Sequence, residues 1–236
     1  MVTVLPQVVK LKGIALDLLF PKFCVGCGKE GGFLCRSCLQ SLPVITPPVC
    51  PKCGRPYSEG VLCPDCRNWS AEIDGIRSPF RFEGVMRQAI HDFKYRNLRA
   101  LAELLSGLLC DYLTDNPLPA DVLVPVPLHP KRLRERGYNQ SGQLAIELGK
   151  LIKLPVITDC LIRQRHTPPQ ARTSNAEERR RNMAGAFVCR DRRLQDKRVM
   201  LIDDVATSGA TLNACAAVIK ATGAAAVWAL VMAREI

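Results

Sequence analysis

Four C-x-x-C pairs, Cys24/Cys27, Cys35/Cys38, Cys50/Cys53 and Cys63/Cys66, crowd into the first third of this 236-residue chain. Each pair is a knuckle that aims two thiolates at one point. Two knuckles on a short hairpin complete a tetrahedral site, which Zn²⁺ accepts because it has no geometric preference of its own. Eight ligands for eight positions leave no open coordination place, so the spacing predicts two structural zinc ions. Grouping in chain order puts Cys24, Cys27, Cys35 and Cys38 on one ion and Cys50, Cys53, Cys63 and Cys66 on the other. An interleaved arrangement satisfies the same count. Disulfides are disfavoured because Lys10, Lys12 and Asp17 interrupt the apolar N-terminus and no small-residue cleavage site follows, so a cytoplasmic setting is expected. Cys110, Cys160, Cys189 and Cys215 have no neighbour at ligand spacing and read as small core residues.

The cysteine-rich segment is short, polar and rich in Pro and Gly, and needs staples to hold a fold. Composition changes near residue 75, which divides the chain into residues 1–75, an N-terminal helix plus a double zinc-ribbon-like region, and residues 76–236. In the second part strands at 76–82, 121–126, 197–203 and 224–232 alternate with helices at 84–95, 98–113, 139–151 and 209–221. That alternation predicts an α/β domain, a mostly parallel sheet with flanking helices. The apolar stretch 224–233 is too short to cross a bilayer, so no membrane span is expected. The net charge of +11 sits mostly after residue 75, because residues 1–75 hold 8 Lys/Arg against 6 Asp/Glu. Such a balance suits a polyanion or a phosphorylated ligand.

The most informative segment is VMLIDDVATSGAT (199–211). An apolar strand ends in Asp203 and Asp204, a loop of small and hydroxyl residues follows, and a helix begins. Backbone N–H groups and a helix N-terminus converge there, a ready anion site. The binding surface is expected from Ala206, Thr207, Ser208, Gly209, Ala210 and Thr211, with Gly209 allowing close backbone approach. The two acids accept hydrogen bonds from adjacent sugar hydroxyls or help hold Mg²⁺. A phosphate cradle beside a diol clamp describes a phosphorylated ribose.

These residues resemble the phosphoribosyl pyrophosphate (PRPP) motif of type I phosphoribosyltransferases. The strand and basic turn at 122–136 resemble that family's pyrophosphate loop, with His129, Lys131 and Arg132 nearest the turn. The polar, arginine-rich stretch 163–182, in which Ser174 and Glu177 form a capping box, resembles the loop that closes over PRPP. One group fits the whole chain. An N-terminal helix ending in Phe20-Pro21, the paired knuckles, FKYRN (93–97), PVPLHPKRLRERGYNQ (125–140) and the acidic motif together resemble the ComF family, which includes GntX-type proteins.

The resemblance implies a zinc-binding N-terminal part, a phosphoribosyltransferase-like domain, and a link to DNA uptake in natural competence or the use of external DNA. It implies PRPP with Mg²⁺ as ligand, Asp203 and Asp204 orienting the ribose and its metal, and Lys131 and Arg132 stabilising the departing pyrophosphate. Where purine-salvage members carry an Asp in the phosphate loop, this chain has Thr207, so salvage of free purine bases is disfavoured. The alternative is a PRPP-sensing accessory of the uptake machinery that contacts single-stranded DNA through basic segments such as Arg179–Arg181. Tyr95 and Tyr138 are available in principle to stack on bases, but both are expected to pack against helices.

Overall fold

The computed structural model describes residues 22–96, 99–165, 183 and 185–236. The expected N-terminal helix at 8–20, the capping box at Ser174 and Glu177, and Arg179 to Arg181 lie outside them.

The centre is a parallel sheet. In chain order its strands are β1 (Gly75–Arg77), β2 (Phe80–Arg81), β3 (Val122–Pro125), β6 (Arg198–Ala206) and β7 (Ala226–Arg234). They lie in the order β1, β7, β6, β3, with β2 pairing farther along β7. Every pairing in this sheet is parallel. A parallel sheet is covered on both faces, which is why β6 and β7 are written as near-continuous apolar runs.

The two faces have different covers. Leu123, Met200, Ile202, Leu230 and Met232 point to α3 (Gly84–Tyr95), α4 (Leu101–Asp115) and α6 (Gln140–Ile152). Val124, Val199, Leu201, Val227 and Ala229 point to α7 (Ala210–Lys220) and to the second cysteine cluster. In α3, Met86, Ala89, Ile90 and Phe93 form one buried stripe. The α6 helix starts where the Asn139 side chain accepts from Ser141 N.

Three departures from the expected elements have local causes. The strand expected at 76–82 is interrupted at Ser78-Pro79, where proline has no N–H to give the ladder, and Ser78 Oγ bonds instead to Phe80 O. The strand expected to end at Asp203 continues to Ala206, because its neighbour β7 pairs with it up to Arg234. A small antiparallel hairpin, β4 (Leu161–Arg163) with β5 (Phe187–Cys189), was not expected at all. Its strands are three residues each, too short to show a period.

The two knuckle pairs are built into the molecule differently. The first, near α1 (Arg36–Gln40), makes a small satellite with Leu34, Val25, Val85 and Leu104. The second, which includes α2 (Pro64–Arg67), belongs to the main core with Trp69, Ile73 and Ile76. Its backbone is stitched to β1 by Ile76 N donating to Lys52 O at 2.9 Å. Gly54, at φ +73, lies where a Cβ would come within 2.4 Å of Ile76 O. Among the lone cysteines, Cys160 and Cys215 are buried, and Cys110 and Cys189 are partly so.

Candidate functional site

The cysteines group as chain order suggested. Cys24, Cys27, Cys35 and Cys38 converge with all Sγ atoms within 4.8 Å of one another, and Cys50, Cys53, Cys63 and Cys66 do the same. The Sγ atoms of Cys27 and Cys35 are 3.6 Å apart, as are those of Cys53 and Cys63. That is far beyond a disulfide bond and close to the edge of about 3.8 Å of a tetrahedron with Zn–S bonds of about 2.3 Å. Backbone donors favour the thiolates of Cys24, Cys35 and Cys50, whereas the Cys24 sulfur and burial push Cys38 up, and burial pushes Cys63 and Cys66 up. Burial opposes ionisation of Cys24 and Cys50, yet N–H groups of neighbouring residues outweigh it and bring both down to about 6. Two four-cysteine sites of this form are consistent with two structural zinc ions.

The acidic pair lies at the carboxyl end of β6, where ligands of open α/β sheets gather. Asp203 is half-buried, and its Oδ1 accepts from Ser141 Oγ at 2.7 Å and from Asp204 N at 2.9 Å. Burial first, and the neighbouring Asp204 charge second, push its carboxyl up to about 7, against the pull of the Ser141 hydroxyl and Lys94. Asp204 is 4% exposed. Its Oδ1 pairs with Lys94 Nζ at 2.6 Å, while Oδ2 is buried with no hydrogen-bond partner among the described residues. The two acids therefore serve different neighbours, one toward α6 and one toward α3.

The loop after them is held from outside the domain's own helices. Gly209 has φ +77, and a Cβ there would lie 2.9 Å from Ile76 Cδ1 and 3.1 Å from Trp69 Cη2. Arg55 Nη2 donates to Thr207 O at 3.4 Å. Ala206 and Ala210 are buried, Ser208 is 9% exposed and its Oγ accepts from Ala210 N, and Thr211 Oγ1 contacts Met183 Sδ at 3.7 Å.

The basic turn forms α5 (Pro130–Arg136). His129 is its N-cap, its Nδ1 accepting from Lys131 N at 3.2 Å. Lys131 is exposed and Arg132 partly buried. Arg163 is 8% exposed, with its guanidinium 5.4 Å from the Phe187 ring centre. Burial lowers its pKa, Arg132 adds to that, and Asp203 opposes it. Arg132 and Asp203 both act on Arg163, which sets the three in one neighbourhood.

Residues 15–67 match the double zinc ribbon domain. Competence protein ComFC of Bacillus subtilis is 31% identical over 209 residues, covering 82% of this chain and 80% of that protein. The chain belongs to the ComF family. DNA utilization protein YhgH of Escherichia coli K12 is 30% identical over 77% of this chain and 83% of its own length. The crystal structure of a purine phosphoribosyltransferase from Pyrococcus horikoshii aligns with a TM-score of 0.35 at 19% identity, over 55% of this chain and 70% of that one.

In this ComF chain, Lys94, Ser141 and Trp69 were not named for the site in the sequence, and Arg163 was expected only as the first residue of the arginine-rich stretch 163–182. FKYRN carried the signal for Lys94. That motif and the GYNQ stretch meet in space: Tyr138 Oη donates to Phe93 O, and the Arg136 guanidinium stacks 5.2 Å from the Tyr95 ring centre. Tyr138 packs as expected, whereas Tyr95 is 67% exposed, because α3 ends there at the surface. Among the described residues no helix is long and apolar enough to cross a membrane.

Proposed function

We propose that this protein binds PRPP with Mg²⁺ at the carboxyl end of β6 and transfers the phosphoribosyl group to a nitrogen acceptor, in a cytoplasmic process that handles DNA. The observation that carries the reading is the turn from Asp203 to Ala210, where a half-buried acid and a left-handed Gly209 flank the start of α7. The printed names of the relatives, a competence protein and a DNA utilization protein, support the DNA setting.

The residues fit the ligand by charge and by donor set. The loop 206–211 receives the 5′-phosphate with its backbone N–H groups. Asp203 accepts from ribose hydroxyls, and the buried, unpartnered Oδ2 of Asp204 is a second oxygen awaiting a donor or a cation. Mg²⁺ supplies neutralisation of the pyrophosphate charge. Lys131 and Arg132 hold the leaving pyrophosphate as the bond from C1 to its oxygen breaks, and the acceptor nitrogen forms the new bond at C1 with its lone pair and then gives up its proton to solvent. Catalysis of this kind is positioning and electrostatics. Thr207 carries no base at neutral pH, which argues for an acceptor other than a free purine.

Calorimetric titration of PRPP with Mg²⁺ tests the reading. Binding heat is expected with the wild type and none with Asp203→Asn/Asp204→Asn. Equal heat in both, or none in the wild type, overturns it. A second reading, a PRPP-sensing accessory that binds single-stranded DNA and meets proteins of the uptake machinery, is favoured by exposed Tyr95 beneath Arg136. Strand binding that weakens steeply with salt and weakens further in Tyr95→Ala would support it.

A further inference from the structure

The arginine at the end of β7 has no ordinary reason to be where it is. Arg234 is 1% exposed. Its Nε and Nη1 are buried without a hydrogen-bond partner among the described residues, and no ion pair found there includes it. A buried guanidinium without a compensating anion is among the costliest groups a fold can carry. Asp65 lines the same small cleft, but it is paired with Arg55. What Arg234 does face is the second cysteine cluster: Cys53 and Cys66 line that same cleft with it.

The chemistry of the cluster supplies the missing charge. Four thiolates around one Zn²⁺ sum to a net charge of minus two. At the first cluster, Cys27 is exposed and Cys35 partly so, and water can screen that charge. All four cysteines of the second cluster are buried. A dianion sealed from water needs a cation within the protein.

We propose that Arg234 is the buried counter-cation of the second cysteine cluster, compensating the charge of a zinc centre filled with four thiolates. Its backbone lies beside Ala206 in the β6–β7 register, so the same residue ties the filled cluster to the strand end from which the 207–209 loop departs. The inference rests on the cluster holding zinc and not on what the loop binds.

Zinc release to a chromogenic chelator tests it in the full chain, with Cys27→Ser used to identify the ion of the first cluster. Arg234→Gln is expected to release one of two zinc ions about 10–100-fold faster than wild type, with the other ion unchanged. Arg234→Lys, which keeps the charge, is expected to stay within a few-fold of wild type. Wild-type rates for both ions in Arg234→Gln would overturn the proposal. So would Arg234→Lys releasing zinc as fast as Arg234→Gln, since packing rather than charge would then be at stake. If Arg234→Gln does not accumulate folded, adding Cys66→His reduces the cluster's negative charge from two to one and is expected to restore soluble, zinc-loaded protein; no recovery overturns the proposal. Wild-type protein lacking zinc would remove the metal reading itself, a result distinct from zinc that is bound and indifferent to Arg234.

Discussion

The two cysteine clusters are chemically alike and structurally unequal. Both are four-sulfur sites built from paired knuckles, with similar sulfur spacing. The first leans on α3 and α4 through Val85 and Leu104 and shows Cys27 to solvent. The second is continuous with the core of the sheet, lies under β1, and sends Trp69 and Arg55 to the loop that follows the acids. The lesson is that a metal site's consequence depends on what is built against it. The first is a local staple. The second underlies the candidate site, because Gly209 closes against Trp69 and Ile76, and Asn213 of α7 accepts from Glu72 N and Ile73 N beyond the last knuckle.

The largest effect should separate the clusters directly. Cys53→Ser is expected to lose one zinc and most of the fold's stability, a cost of about 5 kcal/mol or more. Cys27→Ser should lose the other zinc and leave the main melting transition in place. Metal analysis with thermal melts reads both, and equal losses would break the comparison.

Next comes the wall of the loop. Trp69→Ala removes a side chain that is 8% exposed and packs on Gly209. The cost expected in denaturant titrations is about 3–5 kcal/mol, with PRPP binding lost as well. A stable Trp69→Ala protein that binds PRPP normally would show that the second cluster does not support the site.

The acid expected to hold ribose should show the opposite sign. The folded pKa of Asp203, about 7, lies above the ordinary value of 3.8. Its protonated form is therefore favoured by the fold, and stability falls as pH rises from about 4 to about 7. Asp203→Asn keeps a hydrogen-bonding group without the charge. It should raise stability at pH 8 by about 2 kcal/mol, with the difference vanishing near pH 4, while binding is lost. Melts across that range check it, and a destabilised Asn variant at pH 8 would contradict it.

The smallest effect is expected at the other end of the sheet, where exposed Arg198 pairs with partly buried Asp121. Hydrogen bonds from Arg198 hold Asp121 down to about 2, so its contribution is present above about pH 4 and is lost as pH falls through about 2. Asp121→Asn should lower the melting temperature by only about a degree above pH 4 and leave both zinc ions in place. A loss as large as that of Trp69→Ala would mean that stability is shared across the sheet and not concentrated at the second cluster.

Much of this was readable along the chain where a pattern was long. The helix at 84–95 stands as expected, and those at 139–151 and 209–221 are displaced by only a residue at their ends. Proline and a neighbouring strand moved the boundaries at 76–82 and 197–203, while the helix expected at 98–113 runs Leu101–Asp115 and the strand expected at 224–232 runs Ala226–Arg234. The β4–β5 pairing was invisible because strands of three residues carry no period and their partnership is non-local. Lys94 was visible as a motif letter and not as a partner of Asp204, because a contact between α3 and β6 has no spacing signature in one sequence.

Taken alone, the sequence determined the four cysteine knuckles, the alternation of strands and helices, and the place of the acids near the carboxyl end of a strand. All three follow from local spacing, which chain geometry converts directly into shape. Only the tertiary structure decided that the knuckles group in order, that Asp203 and Asp204 look to different helices, and that Arg234 lies against the second cluster and not the first. Those outcomes depend on which buried charges and side chains meet across the core, and burial is a property of the whole packed molecule.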